Sequence, residues 1–591
     1  MSNQATHSVS IQPNEYRTHH CGQLNATNIH SEVVLSGWVN KIRDKGYIIW
    51  VELRDFYGIT QLVFDQQRTN PETFGKVKHL SREDVIQIKG QVIHREAANP
   101  NIPTGNIEVL VEQLQCLSHA QTPPFTIEDQ TDGGLELRMK YRYLDIRRQP
   151  VRDNLIFRHQ LVQSIRNYLS HRHFFEIETP FLIKSTPEGA RDFMVSSHIN
   201  KGQYYALPQS PQTLKQLLMV GGFDKYFQIV KCFRDEDLRS DRQPEFTQLD
   251  CELSFVNKNN VMAIFEGLLS HLLQQFTSYQ SKPFKQLSFE QAINTYGTDK
   301  PDLRFEMKLV DLTQLVQGKG FQLFDTPKAI IGMVIENGGD TSRKTMDQWT
   351  KWMKSPQIGA NGLIWVSQNQ DGNFRSSISK FYNANDFSQW FEKANADKGD
   401  LLLLVWGDRI QALSQMGTLR NHLAQELDII NPELFVPLWV TDFPLFEWDE
   451  QIKRYRSMHH PFTAPLTKDI PLLEHQPLKV RAQSYDLVLN GKEIGGGSIR
   501  ISESHLQLKV LEILGFSNSQ ANDRFGFLIE ALTYGAPPHG GIAWGIDRLA
   551  AVLKGKESIR DFIAFPKNNQ ARDLMMGAPT AWSQDQLQEL E

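Results

Sequence analysis

Residues 226–255 read YFQIVKCFRDEDLRSDRQPEFTQLDCELSF, two strand-like runs around a charged loop. In the second run, Phe246 to Phe255, the side chains of Leu249, Cys251, Leu253 and Phe255 fall on one face and Gln248, Asp250 and Glu252 on the other. That period of two marks a strand with one face on a core and one on something polar. The loop carries Arg234, Arg239 and Arg242 among Asp235, Glu236, Asp237, Asp241 and Glu245. Two readings account for it: a solvated hairpin tip, or an arginine-lined loop that holds a nucleotide, since a guanidinium meets phosphate oxygens bidentately.

Around this hairpin lie 591 residues, too many for one domain and enough for about three or four. Lys plus Arg is 63 against 68 for Asp plus Glu, a net charge of −5, so there is no global basic field. A single module could still carry a basic surface for RNA. The four cysteines, Cys21, Cys116, Cys232 and Cys251, have no CxxC spacing. They suit a reducing compartment, and no zinc is expected. The polar N-terminus lacks an apolar leader, and no run approaches the ~18 apolar residues of a membrane span. A soluble, cytoplasmic protein is expected.

Residues 1–15 read as a flexible tail. From 16 to 120, short strand-like runs (VVLSGWVNKIR, YIIWVELRD, GITQLVFD, DVIQIKGQVIHR, NIEVLVEQLQCL) are separated by turn residues, which suggests a small barrel. Trp50 and Gln61 lie on neighbouring strands, with Arg43 and Lys45 near the preceding turn. An aromatic, an amide and cations could grip unstacked bases, although a strand tryptophan is more often core. A proline-containing linker and basic hinge follow over 121–150. Helical spacing from Asp153 to His173 then leads into FFEIETPFLI, where Pro180 suits an edge or kink, in core or at a subunit interface. Ser210 can cap a helix with Pro211 at its first position and Gly221-Gly222 at its end. Gln212 and Lys215 share one face of it, and a surface lysine is the plain reading of Lys215.

Between 289 and 430 strand and helix signals mix without obvious chemistry, as in an autonomous inserted domain. Further on, His459-His460 would point to opposite faces of a strand, which argues against joint metal ligation. YDLVLNGKEIGGGSIR (485–500) is the clearest hairpin. Asn490-Gly491 fits a type I′ turn, setting Val488 opposite Glu493 and making Asp486 and Glu493 diagonal neighbours. Two carboxylates so placed repel unless a cation sits between them, and Mg²⁺ with a triphosphate is the obvious candidate. GGIAWGIDRLAAVLKG (540–555) is a glycine-punctuated strand running into a helix, with Arg548 at the junction.

In this order the motifs resemble a family. HFFEIETPF, FRDEDLRSDRQPEFTQLD and GIAWGIDRL resemble motifs 1, 2 and 3 of the class II aminoacyl-tRNA synthetases. The N-terminal barrel places the chain with the aspartyl, asparaginyl and lysyl subgroup. TPEGARDF, ALPQSPQ, MHHPFT, GGGSIRI and the insertion look like its bacterial aspartyl branch. The resemblance implies an α+β multidomain fold: an OB-fold anticodon-binding barrel (16–120), a catalytic antiparallel sheet in two parts (151–288 and 431–575), the inserted domain (289–430), and a short C-terminal extension (576–591). It implies aspartate activation by ATP with Mg²⁺ and transfer to tRNA(Asp), with tRNA(Asn) as a possible second substrate, by a homodimer with Pro180 near its two-fold axis. Arg234, Glu236 and Arg548 would be catalytic, with Asp235, Gln243, Glu493, Gly545, Ile546 and Asp547 also at ATP. Asp486 and Glu493 would hold the metal. Lys215 and Arg500 would clamp the aspartate side chain, with Glu188, Gln212, Arg234, Asp250 and His459 around the amino acid. Arg43, Trp50 and Gln61 would face the anticodon. The rivals are an asparaginyl-type ligase, against which the insertion and the Lys215/Arg500 pair argue, and a paralogue that binds RNA or a metabolite without catalysis.

Overall fold

Alternation along the strand Glu32–Asp44 buries Val33, Leu35 and Val39 and leaves Val34, Ser36 and Trp38 partly covered. Ile48–Arg54, Ile59–Asp65, Val85–His94 and Ile107–Ser118 repeat the pattern, and the five strands close into a barrel. Closure leaves no free edge. This barrel belongs to the first of two compact units, which ends at Gln149, while the second begins at Pro150. The computed structural model describes residues 12–185, 190–581 and 583–584. Within the first unit the basic hinge is internally neutralised. Asp145 accepts from Arg142 and Arg148, each at 2.6 Å, and Glu83 pairs with Arg54 at 2.8 Å and Arg147 at 2.7 Å.

The second unit is built on an eight-stranded sheet. Across it run Lys285–Ser288, Pro437–Thr441, Ser484–Leu489, Lys492–Ile499, His539–Gly545, Glu245–Ser254, Lys225–Phe233 and Phe175–Glu176. The pairings are antiparallel except at the two ends, where Lys285–Ser288 runs parallel to Pro437–Thr441 and Phe175–Glu176 parallel to Lys225–Phe233. Leu249, Cys251, Leu253, Leu487, Ile542 and Trp544 pack on one face against Leu161 and Ile165 of the helix Gln149–Ser170 and Phe265 and Leu269 of Lys258–Phe276. The opposite face carries Gln228, Asp250, Glu252 and Asp486, with a small apolar cluster of Leu438, Val440 and Val488 toward one edge.

Three local expectations are corrected. Phe255 does not continue the 245–254 strand: its φ is +56° and it is 77% exposed. Of FFEIETPFLI only Phe175–Glu176 pairs as strand, and Phe175, Phe181 and Leu182 are exposed. The helix Gln212–Val220 starts one residue late, with Pro211 (ψ 29°) in the cap position and no side-chain cap bond from it.

The segment between the strands Lys285–Ser288 and Pro437–Thr441 forms its own antiparallel sheet, ordered Leu309–Asp311, Ala329–Ile335, Leu401–Gly407, Ile364–Gln368 and Phe374–Ser376. Leu401, Leu403 and Val405 enter one core and Leu402, Leu404 and Trp406 another. A strand buried on both faces reads as the continuous run LLLLVW. Arg420, on the helix Arg409–Glu426, is fully buried. It donates to the carbonyls of Asp302, Phe305, Glu306 and Met307 at 2.7–3.1 Å and lies over the Phe305 ring at 4.0 Å. Burial brings its pKa down to about 10, so it remains charged at neutral pH. Arg420→Met should cost about 3–5 kcal/mol, because it strands several buried carbonyls. Urea unfolding measures this, and a loss under 1 kcal/mol would contradict the clamp.

Candidate functional site

The polar face of the large sheet floors a cleft of about 510 Å³. Its central strand is Glu245–Ser254, which places Asp250 and Glu252 side by side on that face, both fully buried. Lys215 reaches them from its helix, with Nζ 2.6 Å from Asp250 Oδ1 and 3.3 Å from Glu252 Oε2. Arg500 grips Glu252 with two bonds, Nε–Oε1 at 2.9 Å and Nη2–Oε2 at 3.1 Å. Its remaining Nη1 donates to Ser498 Oγ at 2.7 Å and contacts His460 Nε2 at 2.5 Å. Lys215 is therefore no surface lysine. Nor are Lys215 and Arg500 two bare cations, because the buried carboxylates already balance them. Burial works against ionisation of both acids. For Glu252, Arg500 and Lys215 outweigh it and hold the carboxyl below its ordinary range, whereas Asp250 remains raised.

The arginine loop closes one wall. Arg234 donates its backbone N–H to Pro244 and lays its guanidinium over Phe246 at 5.1 Å. Glu236 pairs with Arg242 at 3.1 Å. Arg234, Glu236, Gln243, Gly545, Asp547 and Arg548 all line the cleft, but two of them are occupied in holding it together. Gln243 exchanges both amide bonds with the Lys567 backbone, at 3.0 and 2.8 Å. Asp547 accepts from the Thr247 N–H at 2.9 Å and from Arg158 at 3.1 Å. Ile546 packs in the core, and Asp235 faces Arg191 instead of the cleft. Glu188 lies outside the described residues.

The other wall comes from the hairpin Ser484–Leu489/Lys492–Ile499. Asn490 and Gly491 have φ of 51° and 76°, the double positive φ of a type I′ turn, and Val488 pairs with Glu493. A bulge before Gly495 then shifts the register. Asp486 and Glu493 both border Gly496, where a Cβ would crowd the Asp486 carboxylate. Burial and the Asp486 charge push the Glu493 pKa up. A buried and a half-buried carboxylate in tension, both lining a polar cleft, are a fitting donor set for a hard divalent cation. Arg548 donates to the Glu493 carbonyl at 2.8 Å and approaches Asp241 at 3.4 Å.

His459 and His460 follow the strand Arg454–Ser457 without continuing it, so strand alternation does not separate them, and both line the cleft. They have different partners: His459 Nε2 meets Asp486 Oδ1 at 3.2 Å, and His460 meets Arg500. Four buried atoms on the cleft, Gln212 Nε2, Arg234 Nε, Asp250 Oδ2 and His459 Nδ1, have no hydrogen-bond partner among the described residues. Buried polar atoms are rarely left so. All four belong to residues that line the cleft, as a site completed by a ligand would have them.

In the barrel, Arg43 pairs with Trp50 across strands, Trp50 with Val63, and Gln61 lies two residues along on the same face. Trp50 is half-buried on this outer face and does not enter the core. Gln61 donates to Glu108 at 2.7 Å and Arg43 approaches Glu52 at 3.5 Å.

Known proteins match this chain over most of its length. Residues 134–569 match the family model of class II tRNA synthetases (D, K and N), and residues 33–117 match that of the OB-fold nucleic-acid-binding domain. The chain is 54% identical to an aspartate–tRNA ligase of Flavobacterium psychrophilum, over 97% of this chain and 99% of the relative. It is 52% identical to that of Phocaeicola vulgatus, over 97% and 98%. The chain belongs to the aspartate–tRNA ligase family. Among solved structures it is similar in fold to an asparaginyl-tRNA synthetase of Pyrococcus horikoshii (TM-score 0.58, 20% identity, 93% of this chain and 97% of that one). It is likewise similar to a putative aspartyl-tRNA synthetase of Leishmania major (TM-score 0.59, 17% identity, 95% and 96%).

In this family member, sequence reasoning passed over Glu252, His460, Ser498 and Asp241. Glu252 was visible as the neighbour of Asp250 on the polar face, but only the fold shows that it ties Lys215 to Arg500. Because its folded-state pKa lies below its unfolded one, Glu252 stabilises the fold at neutral pH, and that contribution fades as pH falls through the depressed value. Glu252→Gln should therefore cost about 3–5 kcal/mol at pH 7 and clearly less in acid. Urea unfolding at the two pH values measures both, and an equal loss would refute the assignment.

Proposed function

We propose that this chain joins L-aspartate to ATP as aspartyl-adenylate and transfers the aspartyl group to the 3′-terminal adenosine of tRNA(Asp). The observation carrying this reading is the balanced Lys215–Asp250–Glu252–Arg500 group, with partnerless polar atoms on three further cleft residues, Gln212, Arg234 and His459. An aspartate side chain would accept from the N–H groups of Lys215 and Arg500. An asparagine amide would turn N–H against N–H there, a mismatch that is costly once water is excluded.

The substrate carboxylate is already a nucleophile, so activation needs no protein base. Its oxygen attacks the α-phosphorus, a P–O bond forms, and the α–β bond breaks to release pyrophosphate. What the chain supplies is alignment and charge stabilisation. Arg234, with an unused Nε and a guanidinium held flat by Phe246, would meet the α-phosphate and the carboxylate. Arg548, fixed through Glu493 and Asp241, would meet the distal phosphates. Asp486 and Glu493 would hold Mg²⁺, which neutralises polyphosphate charge when bound. His459, anchored on Asp486, and Gln212 would cover the amino acid. In the first unit, Trp50 offers a stacking face, with Arg43 and Gln61 beside it for anticodon bases.

The exposed Phe175, Phe181 and Leu182 around Pro180 fit a homodimer contact, in which the same patch meets its copy. No helix among the described residues is long and apolar enough to cross a membrane, and we place the enzyme in the cytoplasm.

Purified protein with Mg·ATP should aspartylate a tRNA(Asp) transcript. A tRNA(Asn) transcript tested beside it separates a discriminating ligase from one of dual range, and charging of neither would overturn the reading. In ATP–pyrophosphate exchange, Arg234→Gln should reduce the rate by ~10²–10³ with the fold intact, and asparagine should be activated at least ~10⁴ less efficiently than aspartate.

A further inference from the structure

Far along the sequence from the cleft residues, the barrel unit carries a group with the chemistry and spacing of a metal site. Asp84 immediately precedes the strand Val85–His94, Cys116 lies near the end of Ile107–Ser118, and His119 follows it. These strands pair, but the register slips: Val85 faces Ser118 while Ile86 faces Cys116. The slip leaves Leu117 as the extra residue of a bulge, a device that re-aims the side chains around it. Cys116 and His119 converge on the Asp84 carboxylate. His119 Nδ1 lies 3.4 Å from Cys116 Sγ and 3.4 Å from Asp84 Oδ2. The three donor atoms all lie within 4.8 Å of one another.

These separations can be compared with a coordination sphere. Zinc bonds of ~2.0–2.3 Å at tetrahedral angles put neighbouring donor atoms ~3.3–3.6 Å apart. The imidazole nitrogen already stands at that distance from both other donors. The carboxylate is fixed from behind, since Asp84 is fully buried and accepts from the N–H groups of Ser81 at 2.8 Å and Ala120 at 2.7 Å. Backbone donors of this kind orient a ligating carboxylate while leaving it lone pairs to use. The outer side is open, because the His119 side chain is 72% exposed.

We propose that Asp84, Cys116 and His119 form a solvent-accessible site for a divalent cation of the zinc class, with water completing the sphere. On binding, the Cys116 thiol releases its proton to solvent and a metal–sulfur bond forms, with no change of oxidation state. Thiolate and carboxylate together balance the 2+ charge, and the imidazole binds neutral. A sulfur and a nitrogen donor select against Mg²⁺ and Ca²⁺, so this site is distinct from the one proposed in the cleft. Cysteine spacing carries no trace of it, because Asp84 comes from a different strand and the other three cysteines are fully buried.

That burial supplies the test. In the folded full-length protein, iodoacetamide should modify Cys116 alone. After treatment with a chelator, added Zn²⁺ should slow that alkylation at least ~10-fold by masking the thiolate, Mg²⁺ should not, and fresh chelator should restore it. Co²⁺ should produce a thiolate-to-metal charge-transfer absorption. His119→Ala, at an exposed position, should weaken both effects at least ~10-fold. Alkylation indifferent to Zn²⁺, or protection that survives unchanged in His119→Ala, would overturn the proposal and leave three side chains that only tie down the end of the strand.

Discussion

Two buried cations share two buried carboxylates at the centre of the catalytic sheet, and the remaining walls of the cleft are set around that balance. Each of these ions alone would cost several kcal/mol to remove from water. Glu252 resolves this by taking both nitrogens of Arg500 while lying 3.3 Å from Lys215, which in turn bonds Asp250. The strand 245–254 must therefore hold its register against its neighbours 225–233 and 539–545. Gly541 belongs to the same constraint, because a Cβ there would overlap the Glu252 carboxylate. A neutral group can still be selective: its charges are fixed in direction, so a ligand is recognised by the N–H groups it meets.

The same economy extends to the cleft walls. Gln243 and Asp547 lie among the residues expected at ATP, yet their polar atoms join the arginine loop to the Lys567 backbone and the 546–553 helix to Thr247 and Arg158. Residues with no such duty, Arg234 and Gln212 among them, line the cavity and carry unpaired buried atoms. A site of this design has two populations of polar side chains, one closed on the protein and one open to the ligand. Held this way, the open population needs little rearrangement to meet a substrate.

Much of this could be read from the chain. Alternation in 246–254 located the polar and apolar faces, Asn490-Gly491 placed the carboxylate hairpin, and five short runs announced the barrel, because each depends on neighbours within a strand or across one turn. What could not be read depends on contacts between distant segments. Nothing local marks Glu252 as the partner of a residue 248 positions away, or shows that the bulge before Gly495 shifts one strand past another. The histidine pair was read as strand, whereas the strand ends at Ser457 and both residues line the cleft with different partners. Phe255 followed the alternation on paper, but its positive φ had already taken the chain out of the sheet.

The parallel pairing of Lys285–Ser288 with Pro437–Thr441 gives the insertion a geometric meaning. Parallel neighbours cannot be joined by a tight turn: the chain must travel back the length of the strand before it can run beside itself, which takes a dozen residues or more. Some crossover is therefore required at this sheet edge. The segment with the five-stranded sheet occupies that obligatory return path, so it interrupts no hydrogen-bonded ladder of the large sheet, and it could be shortened only as far as the crossover itself.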